Sequence, residues 1–406
     1  MRAPGAVVIG GYVNGLGLVR ALAARGVRTV VITTKPYDIA HRSRWVCAHE
    51  AVPELEERPE LLVELLERRA RDWSGWALFP TNDGALAALA QHHDRLSSTY
   101  RVVAPPHEVT RYFLDKRLMS EVARGVGMDL PRCYGPAAEN TAALPNLRFP
   151  VVVKPLVGYR FFSRFGCKLF AASNRDELDH CIARLADADI PGQIFDLVPG
   201  PDSRIYAYCT YVAAGGEPAG GVLIRKLRQN PPFFGDARVA DIAPDNPALR
   251  EATVELLRRI RFRGIAITEF KLDPRDGSFR FIEVNGRSVV YNGLLRRAGL
   301  DLAGLAWSDY VSGQPERDRP NGWPGVWIHL HPDVLYSTLY RRHDPIGIRD
   351  FLAPYIRPKV EAVWSTTDPL PFLAQWSRTA WEGTSALWHG THRDRLADRT
   401  RTSVRA

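Results

Sequence analysis

Along the first hundred residues the apolar positions alternate between short unbroken runs and helically spaced ones. Ala6-Val-Val-Ile-Gly10 is a compact apolar run; a glycine-rich turn and a helix-like stretch from Leu16 to Arg25 follow it. Val27 to Thr33, Trp76 to Pro80 and Tyr100 to Ala104 repeat the strand signal, and Glu60 to Arg71 repeats the helix signal. Strands that are apolar throughout and separated by helices predict a parallel sheet covered on both faces. Residues 1–105 therefore read as an open α/β domain.

From residue 106 the pattern changes to α+β. Residues 106 to 134 read as helices, clearest from Asp115 to Ala123, and a linker rich in Ala, Asn and Pro follows. Phe149-Pro-Val-Val-Val-Lys154-Pro155 is a buried strand ending in a lysine, and Phe161 to Gly166 is expected to be a mobile loop with Arg160 and Arg164 beside it. Lys168-Leu-Phe170 resumes the sheet, and Gln193 to Gly200 forms another apolar strand closed by Pro-Gly and followed by Asp202. Residues 204 to 213 and 219 to 228 predict a hairpin carrying Arg225, Lys226 and Arg228, and Leu249 to Phe262 an amphipathic helix.

The most informative alternation comes next. Gly264 to Asp273 and Ser278 to Arg287 each follow period two around the turn-forming Pro274-Arg-Asp-Gly277. Pairing centred near Asp276 sets Glu269 opposite Glu283 and Ile267 opposite Asn285, and sends Phe270, Leu272, Ile282 and Val284 to the core face. Facing carboxylates lie roughly 5 Å apart at Cβ and repel, a cost that a cation between them removes. Two carboxylates and an amide oxygen make a hard donor set suited to Mg²⁺, and Mn²⁺ also fits it. Arg287, two residues past Asn285, can steady a phosphoryl oxygen. A hairpin with a solvated polar face is the plain alternative.

Other features carry two readings each. Gly10-Gly-Tyr-Val-Asn-Gly15-Leu-Gly17 has irregular glycine spacing and no acid after the second strand, so tight strand-to-helix geometry is preferred to dinucleotide binding. Thr81-Asn-Asp83 is either a ligand loop or a helix N-cap. Lys154 either meets an anion or extends to the surface. His329-Leu-His331, in an expected strand, places both imidazoles on one face but lacks a third ligand, so a structural role is kept.

Composition narrows the functional classes. The chain has 406 residues, 45% of them hydrophobic, enough for two to four domains. No apolar run is long enough to span a membrane, no signal-peptide layout opens the chain, and the cytoplasm is the expected compartment. The five cysteines show no Cys-x-x-Cys spacing and read as reduced. A net charge of +9 suits anionic small molecules, and no nucleic-acid module appears. Trp323, Trp327, Trp364, Trp376, Trp381 and Trp388 punctuate the last ninety or so residues. A helical cap over the preceding lobe is preferred for them to contact with a membrane surface or partner, and the end from about His389 reads as disordered.

Taken in order, the lysine after Asp115, the strand-ending Lys154-Pro155, the strand into Val198-Pro-Gly200 and the Glu269, Glu283, Asn285, Arg287 series resemble the ATP-grasp enzymes. More closely, Gly10 to Arg20, Thr81-Asn-Asp83, Arg225 to Pro232 and Asp368 to Phe372 look like the carboxylate–amine ligase group related to D-aspartate ligase. The resemblance implies a Rossmann-like preliminary domain over 1–105, a first ATP-grasp lobe with linker helices over 106–192, a second lobe with the metal site over 193–313 and a helical extension over 314–406. It further implies that Lys116 and Lys154 contact ATP phosphates, that Phe195, Asp196 and Val198 offer main-chain bonds to adenine, and that Asp202 serves the ribose. Glu269, Glu283 and Asn285 would hold one or two Mg²⁺, with Arg287, Lys226 and Arg228 stabilising the transferred phosphate. The expected reaction joins a small carboxylate to an amine through an acyl phosphate, and a homodimer is compatible with it. A bicarbonate-activating carboxylase-like enzyme and a nucleotide-binding regulatory protein without turnover are the alternatives. The resemblance has two departures: Phe195-Asp-Leu-Val-Pro-Gly200 differs from the usual hinge, and Tyr159, Phe161, Phe162 and Phe165 are bulky where small residues are common.

Overall fold

The computed structural model describes residues 4–137, 146–156, 158–230, 234–314, 316–338 and 346–377. The Ala/Asn/Pro linker, Pro231-Pro232, Trp381, Trp388 and the end beyond His389 lie outside the described residues, as do the side chains of Tyr159, Arg160 and Phe162.

The amino-terminal domain is built on β1 (Ala6–Ile9), β2 (Thr29–Thr33), β3 (Val46–Ala51), β4 (Ala77–Pro80) and β5 (Arg101–Val102). The strands are all parallel in the order β3-β2-β1-β4-β5, as the unbroken apolar runs predict. β3 escapes the sequence reading because Val-Cys-Ala-His-Glu-Ala is an exposed edge strand with no apolar signature. Strand order reverses between β1 and β4, where open α/β sheets form a crevice beyond the strands' carboxyl ends. The turns Gly10–Tyr12 and Thr81–Asp83 stand there.

The first lobe is a four-stranded sheet of β6 (Cys133–Pro136), β7 (Val151–Pro155), β8 (Phe170–Ala172) and β9 (Gly192–Asp196) in the order β6-β9-β7-β8. β9 pairs antiparallel with both β6 and β7, so Gly192 to Asp196 belong to this sheet. The loop expected from Phe161 to Gly166 is instead part of a helix, Gly158–Phe165. Phe161 is fully buried, and its ring sits 4.9 Å from Phe165 and 4.8 Å from Phe170, so these aromatics fill the lobe's core.

The second lobe is a seven-stranded sheet of β10 (Ile205–Val212), β11 (Pro218–Asn230), β12 (Asp236–Ile242), β13 (Gly264–Leu272), β14 (Phe279–Asn285), β15 (Val326–Ile328) and β16 (Lys359–Glu361). Its order is β14-β13-β10-β11-β12-β15-β16. The helix Pro247–Arg259 covers one face with Leu249, Leu256 and Leu257. On the other face Ala207, Cys209, Tyr211 and Ile224 share a continuous apolar core with Val8, Leu16 and Val31 of the first domain. The extension packs the helix Leu330–Thr338 on this lobe and lends the sheet β15 and β16. Neither that helix nor the largely exposed Ile348–Leu352 carries a tryptophan, and Trp364 is exposed, so the expected tryptophan cap is not the arrangement formed among the described residues. Trp327 is buried at the junction, its ring 6.2 Å from that of Tyr291. β15 ends at Ile328 and His331 lies in the following helix, so the two histidines do not share a strand. His329 is buried and hydrogen-bonded to Gln375 (Nε2 to Nε2, 2.9 Å); burial and the neighbouring His331 push its pKa down to about 3, which fits a structural role. Among the described residues no helix is long and apolar enough to cross a membrane.

The glycine-rich turn carries the docking of domain on lobe. Gly10 takes φ +97°, and a Cβ on Gly17 would lie 2.9 Å from Asn292 Cβ, so the helix after β1 is free to press against the second lobe. Asn14, buried in this contact, donates to Thr81 O (2.7 Å) and Ser288 O (2.8 Å) and accepts from Ser288 Oγ (2.5 Å) and Asn292 Nδ2 (3.0 Å). The turn is thus filled by the chain's own side chains, in line with the tight-geometry reading. Asn14→Ala strands buried donors and acceptors, and the expected loss is about 3 kcal/mol, read as a lowered urea midpoint.

Candidate active site

The β13–β14 hairpin has the expected register: Glu269 faces Glu283 and Ile267 faces Asn285. A bulge between Glu269 and Phe270 then moves the pairing by one, so that Phe270 faces Phe281. Phe281 therefore joins Phe270 and Val284 in the core, while Ile282, expected there, lines the slot between the lobes. Leu272 is only partly buried.

Lysines stand against both facing acids and offset their mutual repulsion. Lys226 Nζ meets both oxygens of Glu269 at 2.8 and 2.7 Å, with both side chains largely buried. Lys116 Nζ lies 3.7 Å from Glu283 Oε2. Burial alone would raise the pKa of Glu283, but Lys116, Lys168, Lys226 and Lys154 together hold it down at about 2. The donors that remain suited to a divalent ion are the open Glu283 carboxylate, the Asn285 amide two residues on, and Glu269 shared with Lys226. Among the described residues no cluster of three His, Cys, Asp or Glu side chains supplies a different metal site.

Lys154 ends β7 in the cleft, its Nζ 5.3 Å from the Phe195 ring centroid. Burial first, then repulsion from Lys116, lowers its pKa to about 8 against the attraction of Glu283. Across the same opening Lys168 Nζ bonds Asp236 Oδ1 at 2.9 Å, joining first lobe to second. Attraction to Lys168 dominates in holding Asp236 at about 2. Neither Lys168 nor Asp236 carries an expected role; the available signal was polarity at a strand boundary, the same signal that marks Lys154.

A slot open to solvent runs between the lobes, lined by Lys116, Lys154, Gln193, Phe195, Phe281 and Ile282 among others. Phe195 belongs to β9, the strand expected to present main-chain groups. The N–H groups of Asp196 and Leu197 are already taken by Arg132 O (2.8 Å) and Pro150 O (3.3 Å). The Asp196 carboxylate pairs with Arg275 at 2.8 Å. Asp202 accepts from Gln229 N at 2.8 Å and Gln229 Nε2 at 2.9 Å, so its carboxylate organises β11.

Arg287 follows β14 and bonds Asp83 Oδ1 through Nε at 2.6 Å. Arg228 is committed elsewhere: its guanidinium is buried 3.0 Å from Asp333 and 5.3 Å from the Phe351 ring centroid. Asp333 also lies 3.2 Å from the fully buried Arg238 and accepts from Tyr355 Oη at 2.6 Å. Arg228 therefore anchors the extension and is not brought together with the facing acids, a correction to its expected phosphate role. The structure gathers Lys116, Lys154, Lys226, Glu269 and Glu283 around one cleft, with Asn285 and Arg287 continuing β14 beside it.

A lysine-lined cleft between a four-stranded lobe and a larger sheet, with facing acids on its floor, belongs to the ATP-grasp fold, and this chain has that fold. No protein-family model matches the chain. Over 302 residues it is 24% identical to D-aspartate ligase of Enterococcus faecium, covering 68% of this chain and 72% of that one. An L-amino acid ligase from Bacillus licheniformis superposes with a TM-score of 0.60 at 16% identity, covering 78% of this chain and 76% of the other. N5-carboxyaminoimidazole synthetase from Staphylococcus aureus, solved with ADP, superposes with a TM-score of 0.62 at 14% identity, covering 84% and 87%.

Proposed function

We propose that this protein is an ATP-dependent carboxylate–amine ligase. The observation that carries the reading is the placement of facing Glu269 and Glu283 among four lysines, two of which, Lys116 and Lys154, also line the slot between the lobes. In this reading Phe195, Phe281 and Ile282 hold the adenine, with Val198 adding a main-chain bond, and Lys116 and Lys154 take the phosphates. Glu283, Asn285 and Glu269 suit Mg²⁺, which would neutralise charge on the transferred phosphoryl group. A substrate carboxylate attacks the γ-phosphorus, ADP leaves, and an amine then displaces phosphate from the acyl phosphate to give an amide. Arg287 and Lys226 face the developing charge, and holding both reactants in one cleft supplies the effective concentration. The D-aspartate ligase and L-amino acid ligase likenesses favour an amino acid or similar small acid as substrate.

The test is a phosphate-release screen over paired acids and amines, with mass detection of the condensed product. ADP and phosphate are expected only when both partners are present. Release driven by bicarbonate alone would replace this reading with a carboxylase-like one.

Lys154 adds a pH signature. Its pKa near 8 means that the free protein loses this charge as pH rises through 8, while bound phosphates favour the protonated form. Nucleotide affinity should therefore weaken toward tenfold per pH unit above about 8, with roughly half a proton taken up on binding at that pH. Calorimetry in buffers of different ionisation enthalpy measures this uptake, and Lys154→Met should abolish it.

A further inference from the structure

Asp83 begins the helix Asp83–Gln91, yet the capping there is done by Asn82, whose Oδ1 accepts from Ala85 N at 2.8 Å. The Asp83 carboxylate instead crosses the domain junction and accepts from Arg287 Nε at 2.6 Å. Its side chain is 56% exposed and that of Arg287 20%, and an ion pair so open to water adds little to stability. Its effect is geometric. Arg287 Nη1 donates to Ser288 O at 3.3 Å, and Ser288 is itself fixed by Asn14. Among the described residues Nη2 makes no hydrogen bond to the protein, while the charges of Asp236 and Glu283 also act on the guanidinium. Asp83 and Asn14 both come from the crevice where the parallel sheet reverses strand order, the place an open α/β sheet ordinarily offers to a ligand. Here the crevice holds the Arg287–Ser288 segment.

We infer that Asp83 is a positioning residue for Arg287: the amino-terminal domain grips the Nε edge of the guanidinium so that Nη2 is presented to the phosphoryl group in transfer. The inference rests on the ligase reading. It assigns the Rossmann-like domain a part in the chemical step without a ligand of its own. A displacement of about 1 Å at such a group costs on the order of a hundredfold in rate.

The experiment compares the wild-type protein with Asp83→Asn and Asp83→Glu on the acid–amine pair found by the screen. Asp83→Asn should lower kcat by about 10- to 100-fold, leave KM for ATP within about twofold, and keep Tm unchanged, while Asp83→Glu recovers most of the rate. Unchanged kcat in Asp83→Asn overturns the inference, and so does a rate loss that follows a fallen Tm and is not recovered by glutamate. A separate readout needs no turnover: the Arg287 Nε–H resonance, in protein labelled at arginine, should be protected from exchange in the wild type and lose that protection in Asp83→Asn. Identical spectra overturn the pairing. A wild type silent on every acid–amine pair, with the resonance still responding to Asp83→Asn, rejects the ligase reading while keeping the grip on Arg287.

Discussion

Replacing Glu283 with alanine will reduce ADP and phosphate release on the order of a thousandfold or more. Glu283 is the carboxylate on which the cleft's lysines converge, and their field holds its pKa well below the usual carboxylate range, so it is an anion at any working pH. It is also the facing acid not locked to a single lysine, since Glu269 is gripped by Lys226 through both oxygens. Removing it deletes the donor best placed for a divalent ion. The same change leaves Lys116, Lys154, Lys168 and Lys226 with one counter-charge fewer, so bare ATP should bind the variant as well as it binds the wild type, or better. Loss of turnover with retained nucleotide binding separates loss of the metal site from collapse of the cleft. Glu283→Gln, which keeps the shape and removes the charge, should resemble alanine in rate.

Replacing Arg287 with alanine is expected to lower kcat by about 10²–10³ while the Kd for ATP changes by less than about threefold. An interaction made mainly in the transition state appears in kcat rather than in binding. Asp83, half exposed, is solvated when its partner goes, so Tm should hold. Arg287→Lys should rescue little, because an ammonium cannot bond Asp83 through one edge and present another to a phosphoryl oxygen. Steady-state rates beside calorimetric ATP binding check both variants.

The hairpin was legible because period-two alternation and a Pro-Arg-Asp-Gly turn fix a register, and the two acids do face each other. The bulge at Ile282 was not, since nothing in the alternation marks an extra residue, and it moved Ile282 from the core to the slot. The parallel sheet was legible from its buried strands, but β3 was not, because an exposed edge strand carries no apolar period. The stretch Phe161 to Gly166 read as a loop between two strands with Arg160 and Arg164 beside it, although Phe161 and Phe165 one helical turn apart already spelled a helix face. Arg228 shows a different limit. Its charge looked available beside Lys226, and only the fold of residues a hundred positions later, Asp333 and Phe351, shows that it is buried. Pairings across domains, such as Asp83 with Arg287, lie 204 positions apart in the chain and leave no local trace.

The measurement that bears most directly on the facing acids as a metal-assisted nucleotide site is calorimetric titration of ATP into the wild-type protein and Glu283→Ala, each with Mg²⁺ and with chelator. The account predicts that Mg²⁺ tightens ATP binding to the wild type at least about tenfold and leaves the variant's affinity unchanged. Wild-type affinity that is the same in chelator, or a variant that keeps the full Mg²⁺ enhancement, would contradict it.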